Sequence, residues 1–107
     1  MFLTAASVRE ELAAVASPAD AKFLAGYFKT GPGEYGEGDT FIGLSVPQVR
    51  QVAGVHKSLP PAEILELLHS NEHEVRLCAL IILVNRYKLS KSEVEKTELF
   101  ALYLSSV

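Results

Sequence analysis

The sequence predicts an all-α fold. Three observations point there: helix-start signals recur at six places, apolar residues fall at helical spacings between them, and the alternating pattern of strands is scarce. Ser7-Val-Arg-Glu10 reads as a capping box, in which hydroxyl and carboxylate satisfy each other's orphan N–H groups, so a first helix is expected near residues 4–16. Ser17-Pro18 supplies an N-cap followed by a proline in the first turn, and Gly31 follows the last periodic residue; a second helix is expected near 18–29. Ser45 with Gln48 makes another capping box, with Pro47 in the first turn, for a third helix near 46–56. Pro60-Pro61 opens a fourth, near 60–69, whose apolar side is Ile64, Leu65, Leu67 and Leu68. Asn71-Glu-His-Glu74 is expected to cap a fifth near 72–87, and Ser90-Lys-Ser-Glu93 a sixth near 91–105.

Six helices joined by mostly short loops suggest antiparallel pairs stacked as a solenoid, an α-α superhelix, although no strict sequence repeat is visible and the repeat reading leans on the family resemblance given below. The fifth helix is apolar almost all round from Leu77 to Val84, so it must be covered on more than one side. In the sixth, Leu99-Phe-Ala-Leu-Tyr-Leu104 is also apolar around most of its circumference, and no polar capping repeat follows. An apolar surface on Leu99, Phe100, Leu102, Tyr103 and Leu104 is therefore expected. It would drive self-association, or be covered by a continuation of the chain; the second reading is favoured.

The 107 residues make one small domain, 1–107, or a piece of a larger protein. Apolar residues reach 49%, enough for a core, and a net charge of −3 argues against an autonomous nucleic-acid binder. A lone Cys78 rules out an intrachain disulfide and suits a reducing cytoplasm. Met1-Phe2-Leu3-Thr4 has neither the basic start nor the apolar run of a signal peptide, and the longest apolar run is too short to span a bilayer.

Most candidate chemistry has a plainer explanation. Gly31-x-Gly33-x-x-Gly36 matches the dinucleotide-binding pattern in form only, because a helix precedes it and Glu34, Glu37 and Asp39 would repel a pyrophosphate. The structural reading of this loop is a long connection whose glycines permit positive φ and whose acids cap or pair locally. His69 and His73 have zinc-ligand spacing, but Ser70-Asn71 interrupts the helix and no third ligand joins them. Cys78 reads as a buried small hydrophobe. Glu63 and Glu66, and likewise Glu93, Glu95 and Glu98, read as solvated faces rather than catalytic pairs. No nucleophile–base pair can be assembled, so no catalytic residue, no metal ligand and no cofactor is assigned.

The most distinctive stretch is Lys29-Thr-Gly-Pro-Gly-Glu-Tyr-Gly-Glu-Gly-Asp-Thr-Phe-Ile-Gly-Leu-Ser-Val-Pro-Gln-Val-Arg50. Together with Leu68-His69-Ser70 and Glu72-His73-Glu74-Val75-Arg76, it resembles the N-terminal part of bacterial DNA alkylation repair proteins, the AlkD-like glycosylases built from HEAT-like helical repeats. The likeness spans residues 27 to 88, roughly, and is weaker on either side. It implies a HEAT-like solenoid in a DNA glycosylase that removes cationic N3- or N7-alkylated purines from double-stranded DNA. It also implies that the catalytic Trp and Asp lie beyond residue 107, since the matching segment ends before them and this chain has no Trp. The chain is thus expected to be an N-terminal portion that supplies scaffold and part of the DNA-binding face, and to be inactive alone.

The expected DNA-binding residues are Tyr27, Lys29 and Arg50. The first two close the second helix; Arg50 lies in the opening turns of the third, whose N-terminus offers free N–H groups to a phosphate. Arg86, Lys88, Lys91 and Lys96 form a second basic group, with helix termination and snorkelling as its alternative role. A different class of function is a non-enzymatic helical-repeat module that binds a protein partner, favoured by the acidic balance and the apolar last helix.

Overall fold

The computed structural model describes residues 4–27 and 40–105. Six helices follow one another: α1 (Ala5–Val15), α2 (Pro18–Tyr27), α3 (Val46–Val55), α4 (Pro61–Leu68), α5 (His73–Leu89) and α6 (Glu93–Ser105). No strand occurs among the described residues, so the all-α expectation holds.

The caps agree with the sequence at two starts and differ at three. Ser17 Oγ accepts from Asp20 N at 3.3 Å, and Ser45 and Gln48 close their capping box, with Ser45 N donating to Gln48 Oε1 at 2.9 Å. At α1 the box lies one turn earlier than expected. Thr4 is the N-cap, accepting from Ser7 N at 3.2 Å, while Thr4 N donates to Ser7 Oγ at 3.3 Å. The earlier start buries Ala5 on the same face as Val8 and Leu12. At α5 the expected cap at Asn71 does not form. Glu72 occupies the N-cap without a side-chain hydrogen bond, and Glu74 turns elsewhere. At α6 the cap is Ser92, whose hydroxyl accepts from Glu95 N at 3.3 Å, because α5 runs on to Leu89 and uses Ser90 as its C-cap.

Packing centres on α5. It contacts α3, α4 and α6, while α1 lies on α3 and α4. Val75, Cys78, Ala79, Ile82 and Leu83 are buried, and Leu77, Leu80 and Ile81 pack partly against the same core. A helix so apolar must be covered on several sides, and here it is. From outside, the core is closed by Val49, Val52 and Ala53 of α3, Ile64, Leu67 and Leu68 of α4, and Leu99 of α6. Each fully buried Leu or Ile contributes about 1.5–3 kcal/mol.

Residues 40–45 make the junction into α3. Thr40 N donates to the Asn71 carbonyl at 3.2 Å, and His73 N donates to the Thr40 carbonyl at 2.7 Å. Phe41 is buried and stacks on the His73 ring, with centroids 4.8 Å apart. Gly43 adopts φ +89°, and a Cβ there would stand 1.8 Å from the Ser17 carbonyl oxygen. Only glycine allows that approach. Gly43 in turn accepts from Ser17 N at 2.9 Å, tying the junction to the start of α2. On its other side lies Glu74, which is 2% exposed. Its carboxylate accepts from the N–H groups of Ile42 at 3.1 Å, Gly43 at 2.8 Å and Leu44 at 3.2 Å.

Candidate nucleic-acid interface

The three expected DNA-binding residues fare differently. Arg50 is exposed on α3 and makes no ion pair among the described residues. Tyr27 is the last residue of α2, but its side chain lies outside the described residues, as do Lys29 and the loop with Gly31, Gly33, Gly36 and Asp39. Arg50 is held outward by its register. Val49, Val52 and Ala53 take the buried side of α3, so Arg50 and Gly54, four apart, share the opposite side. Gly54 has open space where a Cβ would be. Lys57 follows in the turn just past the helix, also exposed and without an ion pair among the described residues. Two cations flanking a bare stretch of helix backbone form a surface that a phosphate backbone could approach closely. Sequence reasoning missed Gly54 and Lys57. The available sign was their spacing from Arg50, since a helical face repeats at three, four and seven residues.

Two members of the second basic group, Arg86 and Lys96, are engaged within the molecule, while Lys88 and Lys91 are exposed. Arg86 donates to the Leu59 carbonyl and lies 3.4 Å from Glu95 Oε1. Lys96 sits over the Tyr87 ring, 5.6 Å from its centroid. Lys88 lines an apolar depression between α5 and α6. Arg86 and Lys96 thus fasten the α5–α6 corner.

The histidines, Cys78 and the carboxylates assemble no metal site or activated nucleophile among the described residues. His69 is exposed at the end of α4, while His73 is engaged with Phe41, so the two do not converge on a metal. No group of three or more metal-ligating side chains exists among the described residues. Cys78 is fully buried; burial, with the Glu11 charge as a lesser cause, pushes its thiol up to about 12. Such a thiol is a poor nucleophile. Glu63 and Glu66 are not simply solvated. Glu63 accepts from Ala5 N at 3.3 Å and Glu66 pairs with Arg9 at 3.2 Å, joining α4 to the start of α1. His56, at the end of α3, is 1% exposed, with Nε2 2.9 Å from Glu11 Oε2 but without an aligned hydrogen bond at either ring nitrogen.

The apolar surface expected on α6 is real in part. Phe100, Tyr103 and Leu104 are exposed, at 54%, 42% and 52%. Leu99, however, is buried and Leu102 packs against the core, because these two face α5. No helix among the described residues is long and apolar enough to cross a membrane.

No curated protein and no solved structure matches this chain. A family model does: the one described as DNA alkylation repair enzyme, over residues 8–107. That match takes in α1 from Val8 onward, the other five helices, the junction held by Glu74 and the exposed side of α3, and the chain therefore belongs to the DNA alkylation repair enzyme family.

Proposed function

We propose that the chain acts in the repair of alkylated double-stranded DNA as the N-terminal, HEAT-like part of a glycosylase that removes cationic N3- or N7-alkylated purines. Its share of the work is backbone grip. Arg50 and Lys57 meet phosphates, and the lack of a side chain at Gly54 lets the backbone come close. The observation that carries this reading is the grouping of Arg50, Gly54 and Lys57 on one side of α3 and the turn after it. Arg50 and Lys57 are exposed and unpaired among the described residues, whereas Arg86 and Lys96 are engaged internally. The N-glycosidic bond of such a base is already weakened by the positive charge on the ring. The residues that hydrolyse it are assigned to segments beyond residue 107.

The test is duplex DNA binding across a salt series. Arg50→Ala and Lys57→Ala should each weaken binding to any sequence and lower the log–log salt slope by about 0.9 in magnitude. Unchanged slopes in both variants would remove α3 from the interface. In parallel, this chain alone should release no 7-methylguanine from methylated duplex DNA; clear release would place the chemistry within these residues.

The second reading, a module that binds a protein partner, is favoured by one observation. The depression between α5 and α6 is lined by Val84, Tyr87, Leu99, Phe100 and Tyr103, an apolar surface of the kind that recognises another protein.

A further inference from the structure

We propose that Glu74 is a positioning residue for the α3 face: its buried carboxylate sets the angle at which residues 40–45 enter α3, and so fixes where Arg50 stands. This rests on the reading of α3 as the DNA-facing helix.

The geometry is unusual for a first-turn glutamate. Such residues ordinarily face water or accept from the N–H groups of their own helix. Glu74 leaves its own N-terminus uncapped and accepts instead from three consecutive backbone N–H groups of another segment, at Ile42, Gly43 and Leu44. Three donors converging on one anion form a nest with the roles reversed, the protein supplying the anion. The N–H groups of residues 42–44 would otherwise have no strand or helix to satisfy them, and a buried orphan donor is costly. The carboxylate solves all three at once and specifies one backbone path. Gly43 at φ +89° and the Ser17 N–H, which donates to the Gly43 carbonyl, hold the same path from its other side. The next residue, Ser45, is the N-cap of α3, and Arg50 follows five residues later. Only the N-cap Ser45 and the first turn of α3 lie between the clamp and Arg50.

A glutamine at position 74 is nearly isosteric and separates positioning from bulk. Its amide offers one acceptor in place of two, and its NH2 group would face other donors. In Glu74→Gln, amide hydrogen exchange at Ile42, Gly43 and Leu44 should accelerate at least tenfold, while amides in the middle of α5 keep wild-type rates. DNA binding should lose salt slope by about 0.9, as in Arg50→Ala. The double variant should lose no more than Arg50→Ala alone, because the two residues act through one contact. Glu74→Asp keeps the charge, so it should exchange more slowly than the glutamine variant and recover part of the slope.

Wild-type exchange at 42–44 as fast as in an unfolded peptide would overturn the clamp outright, and needs no variant to fold. Additive losses in the double variant would overturn the coupling to Arg50. A slope unchanged in both Arg50→Ala and Lys57→Ala would instead defeat the DNA reading of α3, while slow exchange at 42–44 would still support the clamp. If Glu74→Gln does not fold, the Glu74→Asp series decides: fast exchange at 42–44 with wild-type DNA binding would sink the proposal.

Discussion

The junction at residues 40–45 and the edge formed by α5 and α6 solve opposite problems. At the junction, a buried carboxylate meets a run of backbone donors. Glu74 sits at 2% exposure with three backbone donors on its carboxylate. At the α5–α6 edge, apolar groups stay in water. Phe100 and Tyr103 are 54% and 42% exposed, beside Val84 and Tyr87. The first arrangement gives a single backbone path at the cost of burying a charge. The second leaves apolar area available for contact, worth about 25 cal/mol per Å² once covered. Irregular backbone at the junction is fixed by hydrogen bonds, whereas the regular helices are fixed by apolar packing, which covers most of α5 but leaves its last turns and much of α6 in water.

The comparison breaks most readily at Gly43. Gly43→Ala should destabilise the protein by about 4 kcal/mol or more, since the added carbon would meet backbone at 1.8 Å and the positive φ disfavours any side chain. A loss of that size is a large fraction of the 5–15 kcal/mol, roughly, that holds such a domain together. Gly54→Ala is the control with the opposite sign. It has open space and a helical backbone, so it should stabilise by about 0.5 kcal/mol. Denaturant unfolding of both variants measures this, and equal effects would mean that the Gly43 path is not specified.

The edge is probed next by two neighbours on α6. Leu99→Ala should cost about 3 kcal/mol, because Leu99 is 1% exposed and its loss leaves a cavity against α5. Phe100→Ala should shift stability by no more than about 0.5 kcal/mol. It should, however, reduce any self-association seen by sedimentation at micromolar concentration. A large stability loss in Phe100→Ala would show that the edge is part of the core.

The smallest effect lies at Cys78, with an ordinary thiol value of 9.0 and a folded value of about 12. Between those limits the unfolded chain releases a proton that the folded chain keeps. The contribution of the neutral thiol is therefore complete below about 9 and is lost as pH rises towards 12. Alkylation by iodoacetamide at pH 8 should be slow in the folded protein and fast in denaturant. Cys78→Ser should flatten the alkaline fall in stability; an unchanged profile would assign that fall to other groups.

Helix number and order, the covered α5 and the all-α class are properties of local sequence. Caps such as Ser45 with Gln48 act within one turn, and apolar spacing declares which side of a helix must be buried. The exposure of Arg50 was legible for the same reason, because Val49, Val52 and Ala53 claim the other side of α3. What the sequence could not decide was which of several competent partners a polar group would take. Ser7 offered a cap and became the third residue of a helix started by Thr4; Glu74 read as part of a cap and became the acceptor for residues 42–44. Leu99 and Phe100 are neighbours of similar hydrophobicity, and only the placement of α6 against α5 put one in the core and the other in water. Local signals are set by chain geometry over three or four residues, which is written in the sequence; the choice among distant partners is made when helices dock, because burial then fixes which hydrogen bonds and contacts can be satisfied together.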